Sequence, residues 1–209
     1  MTPLLRVEGP ACPLGMANVD TDQLIPARFM KTPREQGYGR FLLHDLRFDD
    51  RGDPVAGFPL NLPGAQASRI LVARRNFGGG SSREAAVYAL VDFGIRCVIA
   101  PSFGDIFVAN AGNNGLLPAR VDETDCEDLL ERLAGTPREM CVNLETRTIT
   151  LENLTYTFGI DPGLRHKLMN GWDDIDLTAR YGDEIAAFVR RDRRLRPWAE
   201  PGAPTEGKR

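Results

Sequence analysis

A chain of 209 residues, 42% hydrophobic and 26% charged, is long enough for a domain with a full core and too apolar for intrinsic disorder. Its net charge of −3 argues against a dedicated nucleic-acid binder, which needs a basic excess to neutralise phosphates. No run of about 18 apolar residues reads as a membrane span and no basic segment followed by an apolar one reads as a leader, so a cytoplasmic location is expected.

The predicted elements follow in chain order. Residues 1–17 are punctuated by Pro and Gly and predict irregular structure. "NVDTDQLIPARFM" (18–30) leads polar turn formers into a short apolar patch, limited by Pro26. Residues 31–64 carry five Gly and four Pro among scattered aromatics, which predicts a long packed loop, more often functional than idle at that length. "RILVAR" (69–74) predicts a buried strand. "REAAVYALVDFG" (83–94) repeats Ala86, Val87, Leu90 and Val91 at helical spacing and stops at Gly94. "IRCVIA" (95–100) is a second buried strand with Cys97 in the core. Strand, helix and strand within about 30 residues make a right-handed βαβ unit.

After Pro101, "SFGDIFVANAGNNG" opens with a Ser suited to cap a short helix and ends in an Asn-Asn-Gly turn. "LLPARV" predicts another short strand, and residues 122–135 an amphipathic surface helix with an acidic start. "EMCVNLETRTITLEN" reads as a β-hairpin joined at Glu145 and Thr146. "DPGLRHKLMNG" and "DDIDLTARYGDEIAAFVRRD" are helical, the second interrupted at Gly182. The basic run 190–197 reads as a solvated helix end, given the net negative charge. From Arg193 the chain is polar and Pro-rich, which predicts a frayed tail. The organisation expected is one α/β domain over residues 1–192, followed by a tail at 193–209.

Four cysteines, Cys12, Cys97, Cys126 and Cys141, stand apart without a C-x-x-C pair. The chain is therefore expected to bind no zinc or iron–sulfur centre of its own and to keep its thiols reduced.

Between the first buried strand and its helix lies "NFGGGSSREAA" (76–86). A phosphate-binding P-loop needs a Lys that is absent, and a dinucleotide fingerprint needs a third Gly where Arg83 stands. A nucleophile elbow needs Gly two residues after its Ser, and Ser82 is followed by Arg and Glu. What remains is a helix N-terminus carrying hydroxyls. Free N–H groups at 81–84 together with Arg83 suit a small carboxylate, and a serine in that positive field has its pKa lowered toward use as a proton acceptor. The same letters also spell a plain Ser N-cap with Glu84 closing a capping box. Local pattern leaves both readings open.

The stretches "NVDTDQLIPARFM", "NFGGGSSRE", "IAPSFGDIF", "NNGLLP" and "MNGWDDIDLT" occur in an order and spacing that resembles the small subunits of 3-isopropylmalate dehydratase, swivel-domain partners within the aconitase superfamily. The resemblance covers residues from about 5 to 190. It implies a single swivelling β/β/α-type domain like the aconitase C-terminal domain, built on a βαβ core. It also implies a separate large subunit carrying a [4Fe–4S] cluster, and isomerisation of 2-isopropylmalate to 3-isopropylmalate by loss and return of water in leucine synthesis. By the same resemblance Ser81 matches the catalytic serine and Asp22 an active-site aspartate. Ser82 and Arg83 match carboxylate-binding positions, and Arg28 or Arg34 would supply a second carboxylate contact.

Three features depart from the family pattern. Ala85 stands where the family has His after G-S-S-R-E, Gly79 where it often has Cys or Thr, and "REQGYG" where it often has Arg-Thr-Gly before an aromatic. These leave two alternatives: a paralogous hydro-lyase acting on another 2-substituted malate (citraconate/methylmalate or homoaconitate type), or a partnerless carboxylate-binding module. Intact Asp22, Ser81, Ser82 and Arg83 count against the second.

Overall fold

The computed structural model describes residues 1–199, which part into two compact units, Met1–Asp173 and a second that starts at Asp174. In chain order the first unit contains β1 (Arg6–Pro13), α1 (Thr21–Leu24), α2 (His44–Arg47), β2 (Ile70–Val72), α3 (Ala85–Phe93), β3 (Cys97–Ala100), α4 (Asp105–Asn113) and β4 (Leu117–Arg120). It continues with α5 (Glu123–Leu133), β5 (Arg138–Asn143), β6 (Thr148–Leu151), β7 (Leu154–Thr157) and α6 (Pro162–Asn170). The second unit holds α7 (Asp174–Ala179) and α8 (Gly182–Leu195), separated near the predicted Gly182 break. A short 3-10 turn at Pro197–Ala199 follows. The predicted tail is thus helical as far as Leu195, and its residues 200–209 lie outside the described ones.

The first unit is built on a seven-stranded sheet in the order β4-β3-β2-β1-β5-β6-β7. β1 to β4 are parallel, and β5, β6 and β7 add to β1 as an antiparallel extension. The α/β expectation is met, with the βαβ unit β2-α3-β3 in place. Register explains why these strands are so apolar. Ala11, Ile70, Cys97 and Leu117 form one row across four strands, and this row faces a core shared with α5 and α6. Their neighbours Cys12, Leu71 and Val98 turn to the opposite face, into a core shared with α1, α3 and α4. A parallel sheet covered on both faces needs apolar residues at both parities. That is why "RILVAR" and "IRCVIA" read as unbroken runs.

The stretch 31–64 is packed, as expected. Tyr38, Phe41, Leu42, Leu43 and Leu60 are buried in the same core as α3. Its regular structure is α2 and single 3-10 turns such as Arg34–Gln36 and Pro59–Asn61. Gly39 lets this loop touch the end of α3: a Cβ there would stand 2.6 Å from the backbone carbonyl carbon of Asp92.

Two strands and one cap differ from the sequence reading. Residues 1–17 were expected to be irregular, yet they contain β1, the central strand. Pro10 is tolerated because pairing to β2 begins only at Ala11, while the Pro10 carbonyl still accepts from Arg69 N at 2.9 Å. A proline is tolerated where no N–H is asked of it. β7 carries the polar sequence "LTYT" on the sheet edge, mostly exposed, so no apolar run announces it. Ser102 does not cap α4. Gly104 holds that position, and Ser102 Oγ accepts instead from Asn76 N at 2.8 Å.

Gly39→Ala is expected to destabilise the protein by about 1–3 kcal/mol, because the added methyl meets backbone that cannot rotate away. A urea midpoint equal to wild type would show that the loop does not close on α3 in solution.

Candidate active site

Parallel strands release their loops at one edge, and open α/β sheets bind ligands beyond the carboxyl ends of the strands. Here β1, β2 and β3 continue into residues 18–22, 76–84 and 101–104, which pair with one another past the sheet. Asp20 bridges to Gly79 and Phe77 to Phe103, both in parallel sense. Thr21 N donates to Gly79 O at 2.9 Å, Gly78 N to Val19 O at 2.7 Å, and Phe77 N to Ser102 O at 3.0 Å. Asn76 Nδ2 donates to Asn18 Oδ1 at 3.0 Å. The glycines make this approach feasible. At Gly78 (φ 73°) a Cβ would sit 2.3 Å from the Phe107 ring, and at Gly104 it would lie 2.7 Å from Gly78 O. Phe77, Phe103 and Phe107 pack beneath the loop, with Phe77 and Phe107 edge to face at 5.4 Å.

This arrangement removes the capping-box reading of "GSSRE". A capping box would have Ser81 bond the Glu84 N–H and Glu84 reach back to Ser81 N. Neither bond is made. Helix α3 starts at Ala85 with Glu84 as N-cap and no side-chain cap. Glu84 Oε1 accepts from Asn114 Nδ2 at 2.8 Å, and Ser81 N donates to Thr21 Oγ1 at 3.2 Å. Ser81 Oγ lies 3.0 Å from the same Thr21 oxygen. The genuine capping box is at α1, where Asp20 Oδ1 accepts from Gln23 N at 2.8 Å and Gln23 Oε1 from Asp20 N at 3.0 Å. That cap fixes Thr21 and Asp22 in the first turn of α1.

Of the six residues singled out in the sequence, four come together. Ser81 and Ser82 are exposed at the loop, and Arg83 Nη1 donates to Asp22 Oδ1 in an ion pair. Arg28 and Arg34 are engaged elsewhere. Arg28 holds Asp45, with Nη1 to Oδ2 at 2.8 Å, and lies over the Phe29 ring. Phe29 in turn stacks on Phe41 at 4.2 Å. Arg34 grips Asp92 at the far end of α3 through two bonds of 2.6 and 2.9 Å and lies 4.4 Å over Tyr88. Neither pair includes a residue of the serine loop. Thr21 is the residue the sequence reading passed over. The only local signal was a hydroxyl set between two acids in "DTD", which does not reveal a partner 60 positions away.

The four thiols do not form a ligand set. Burial pushes Cys12 up to about 12 and Cys126 up to about 11, and raises Cys97 as well. Cys141 is raised by burial and then by Glu8. A thiol must lose its proton to ligate a metal. Among the described residues there is no group of three His, Cys, Asp or Glu side chains placed to hold a metal ion. Among the same residues no helix is long and apolar enough to cross a membrane.

A mixed sheet with a glycine-serine loop beyond its parallel edge defines a class: the family model described as the aconitase C-terminal domain matches residues 1–124. The chain is 43% identical over 193 residues to the 3-isopropylmalate dehydratase small subunit of Brevibacillus brevis, spanning 91% of this chain and all of that one. It is 46% identical to that of Rhodospirillum centenum, across 91% and 95% of the two chains. A crystal structure of 3-isopropylmalate dehydratase from Methanocaldococcus jannaschii is similar, with a TM-score of 0.64 at 26% identity. That likeness covers 88% of this chain and 99% of the other. The chain belongs to the family of 3-isopropylmalate dehydratase small subunits.

The Arg28 pair has a measurable consequence. Its hydrogen bond holds the Asp45 carboxyl down to about 2, with His44 adding to the effect, against about 3.9 for an unfolded aspartate. A lowered carboxyl contributes stability that is present at neutral pH and lost as pH falls through about 2. In Arg28→Ala the Asp45 carboxyl-carbon resonance is expected to titrate near the ordinary aspartate range; an unchanged midpoint would show that the pair does not form in solution.

Proposed function

We propose that this chain is the small subunit of a 3-isopropylmalate dehydratase, a cytoplasmic hydro-lyase that converts 2-isopropylmalate to 3-isopropylmalate in leucine synthesis. It works with a large subunit, to which this reading assigns the [4Fe–4S] cluster, since the cysteines here stand apart, three of them in the core and Cys141 half-buried. The names of the relatives support the reaction. The observation that carries the site is the commitment of Ser81 to Thr21 instead of to the start of α3.

In this reading Ser81 exchanges the proton of the reaction. As an alkoxide it takes the proton from the carbon beside a carboxylate, the carbon–oxygen bond on the neighbouring carbon breaks with its electron pair leaving as hydroxide, and an alkene diacid remains. Hydroxide then adds to the carbon that lost the proton, and Ser81 returns its proton to the carbon that lost the hydroxyl, which restores the alkoxide. Ser82 and Arg83 bind a substrate carboxylate, for which Arg83 exchanges its bond to Asp22. That pair is exposed to water on the Asp22 side, so opening it costs little. Arg28 and Arg34 act through the loop they brace, the segment that faces substrate choice. Both serines are exposed in this chain alone, so the large subunit supplies the surface that excludes water.

Reconstituted with its large subunit, the protein is expected to hydrate isopropylmaleate, read as loss of the conjugated-diacid absorbance. In a panel of substituted malates, 2-isopropylmalate should be turned over best; preference for methylmalate or a homoaconitate-type acid would move the assignment to a paralogue. Ser81→Ala should lower kcat by about 10²–10⁴-fold without changing the unfolding midpoint, and near-normal turnover would remove Ser81 from the chemistry. Arg83→Lys should raise KM by about tenfold, because a point charge cannot reproduce a two-pronged carboxylate contact.

A further inference from the structure

Thr21 is 2% exposed, and among the described residues every hydrogen bond of its side chain goes to Ser81. Thr21 Oγ1 accepts from Ser81 N at 3.2 Å, lies 3.0 Å from Ser81 Oγ, and stands 3.4 Å from Ser81 O. A threonine that only fills a turn normally satisfies its hydroxyl on its own or adjacent backbone. This one spans 60 positions of sequence to a single residue.

The proton inventory gives the contact a direction. A threonine hydroxyl has one proton and two lone pairs. With Ser81 protonated, one lone pair takes the Ser81 N–H, the other takes the Ser81 Oγ–H, and the Thr21 proton points to Ser81 O. Every position is then used. Once Ser81 is an alkoxide it has nothing to donate. The Thr21 proton turns from the carbonyl at 3.4 Å to Ser81 Oγ at 3.0 Å, making a charge-assisted bond, the stronger kind. No covalent bond to Thr21 changes in either state; its hydroxyl only rotates.

We infer that Thr21 is a positioning residue for the proton carrier, its hydroxyl fixing the Ser81 side chain when protonated and donating to Ser81 Oγ when deprotonated. The inference rests on Ser81 being the proton carrier. Rigidity favours the role. Thr21 sits in the first turn of α1 behind the Asp20–Gln23 capping box, its N–H is bound to Gly79 O, and a β-branched side chain has few rotamers.

The experiment uses the reconstituted enzyme with three substitutions. Thr21→Val keeps the shape and removes the hydroxyl; Thr21→Ser keeps the hydroxyl; Ser81→Ala reports on the parent reading. Thr21→Val is expected to lower kcat by about ten- to a hundredfold, the scale of a hydrogen bond to a charged oxygen, with KM within about threefold of wild type. Its acid-side limb of kcat against pH should move to higher pH, since an alkoxide without its donor is harder to form. Thr21→Ser should restore both kcat and the limb. Where Thr21→Val does not fold or does not bind the large subunit, Thr21→Ala reads the same quantities. Wild-type kcat with an unmoved limb in the valine or alanine variant, or equal losses in the serine and valine variants, overturns the inference while an inactive Ser81→Ala leaves the parent reading standing. An active Ser81→Ala removes both.

Discussion

The site depends on a backbone crossing: residues 18–21 and 102–104 pair with the glycine loop from either side beyond the sheet. Left to local preference, "SSRE" would begin α3 at Ser81, where a cap contributes about 1 kcal/mol. Three long-range backbone bonds, from Thr21 to Gly79, Gly78 to Val19 and Phe77 to Ser102, contribute about 0.5–1.5 kcal/mol each. Burial of Phe77 to zero exposure adds about 1.5–3 kcal/mol. The long-range set outweighs the cap, so α3 starts three residues later and the serines are left in the loop. Gly78 and Gly104 are conditions of that outcome, since a side chain at either would part the two backbones.

The same balance explains what could be read from the letters. The parallel strands β2, β3 and β4, and α3 packed on them, were legible because the sheet is covered on both faces and both parities had to be apolar. Gly94 marked the end of α3 because its positive φ of 117° closes the helix on Leu90 and Val91. β1 was not legible, since Pro10 and Pro13 read as breakers and the register that excuses Pro10 belongs to another strand. β7 was not legible because an exposed edge carries no hydrophobic pattern. Ser102 looked like a helix cap by position, yet its hydroxyl takes the N–H of Asn76, 26 residues earlier.

For the site, the glycine loop could be identified but its partner could not. Excluding the nucleotide loops needed only the identity of position 83 and the missing Lys. Excluding a helix cap needed to know where Ser81 and Glu84 spend their hydrogen bonds, and both partners, Thr21 and Asn114, are distant in sequence. Arg28 and Arg34 show the converse. Each lies in a segment that the family resemblance connects with substrate, but each guanidinium is held by a carboxylate, Asp45 or Asp92, within the packed loop region. An arginine's planar fork is satisfied by one well-placed carboxylate, and sequence does not say whether that carboxylate belongs to protein or ligand.

Asp22 and Arg83 pose the same question inside the proposed site, with a different answer. Their pair bridges α1 and the serine loop, and Asp22 keeps 60% of its side chain exposed while Arg83 keeps 24%. An exposed ion pair contributes at most about 1 kcal/mol, so it costs little to open. Arg34 is different: it also covers Tyr88, and Asp92, only 18% exposed, receives the Tyr38 N–H at 2.6 Å as well. Breaking that pair would leave a mostly buried carboxylate and a loop without its brace. The two arginines therefore divide by what holds their partner. Arg83 is set against a carboxylate that water already reaches, and Arg34 against one that the fold itself requires.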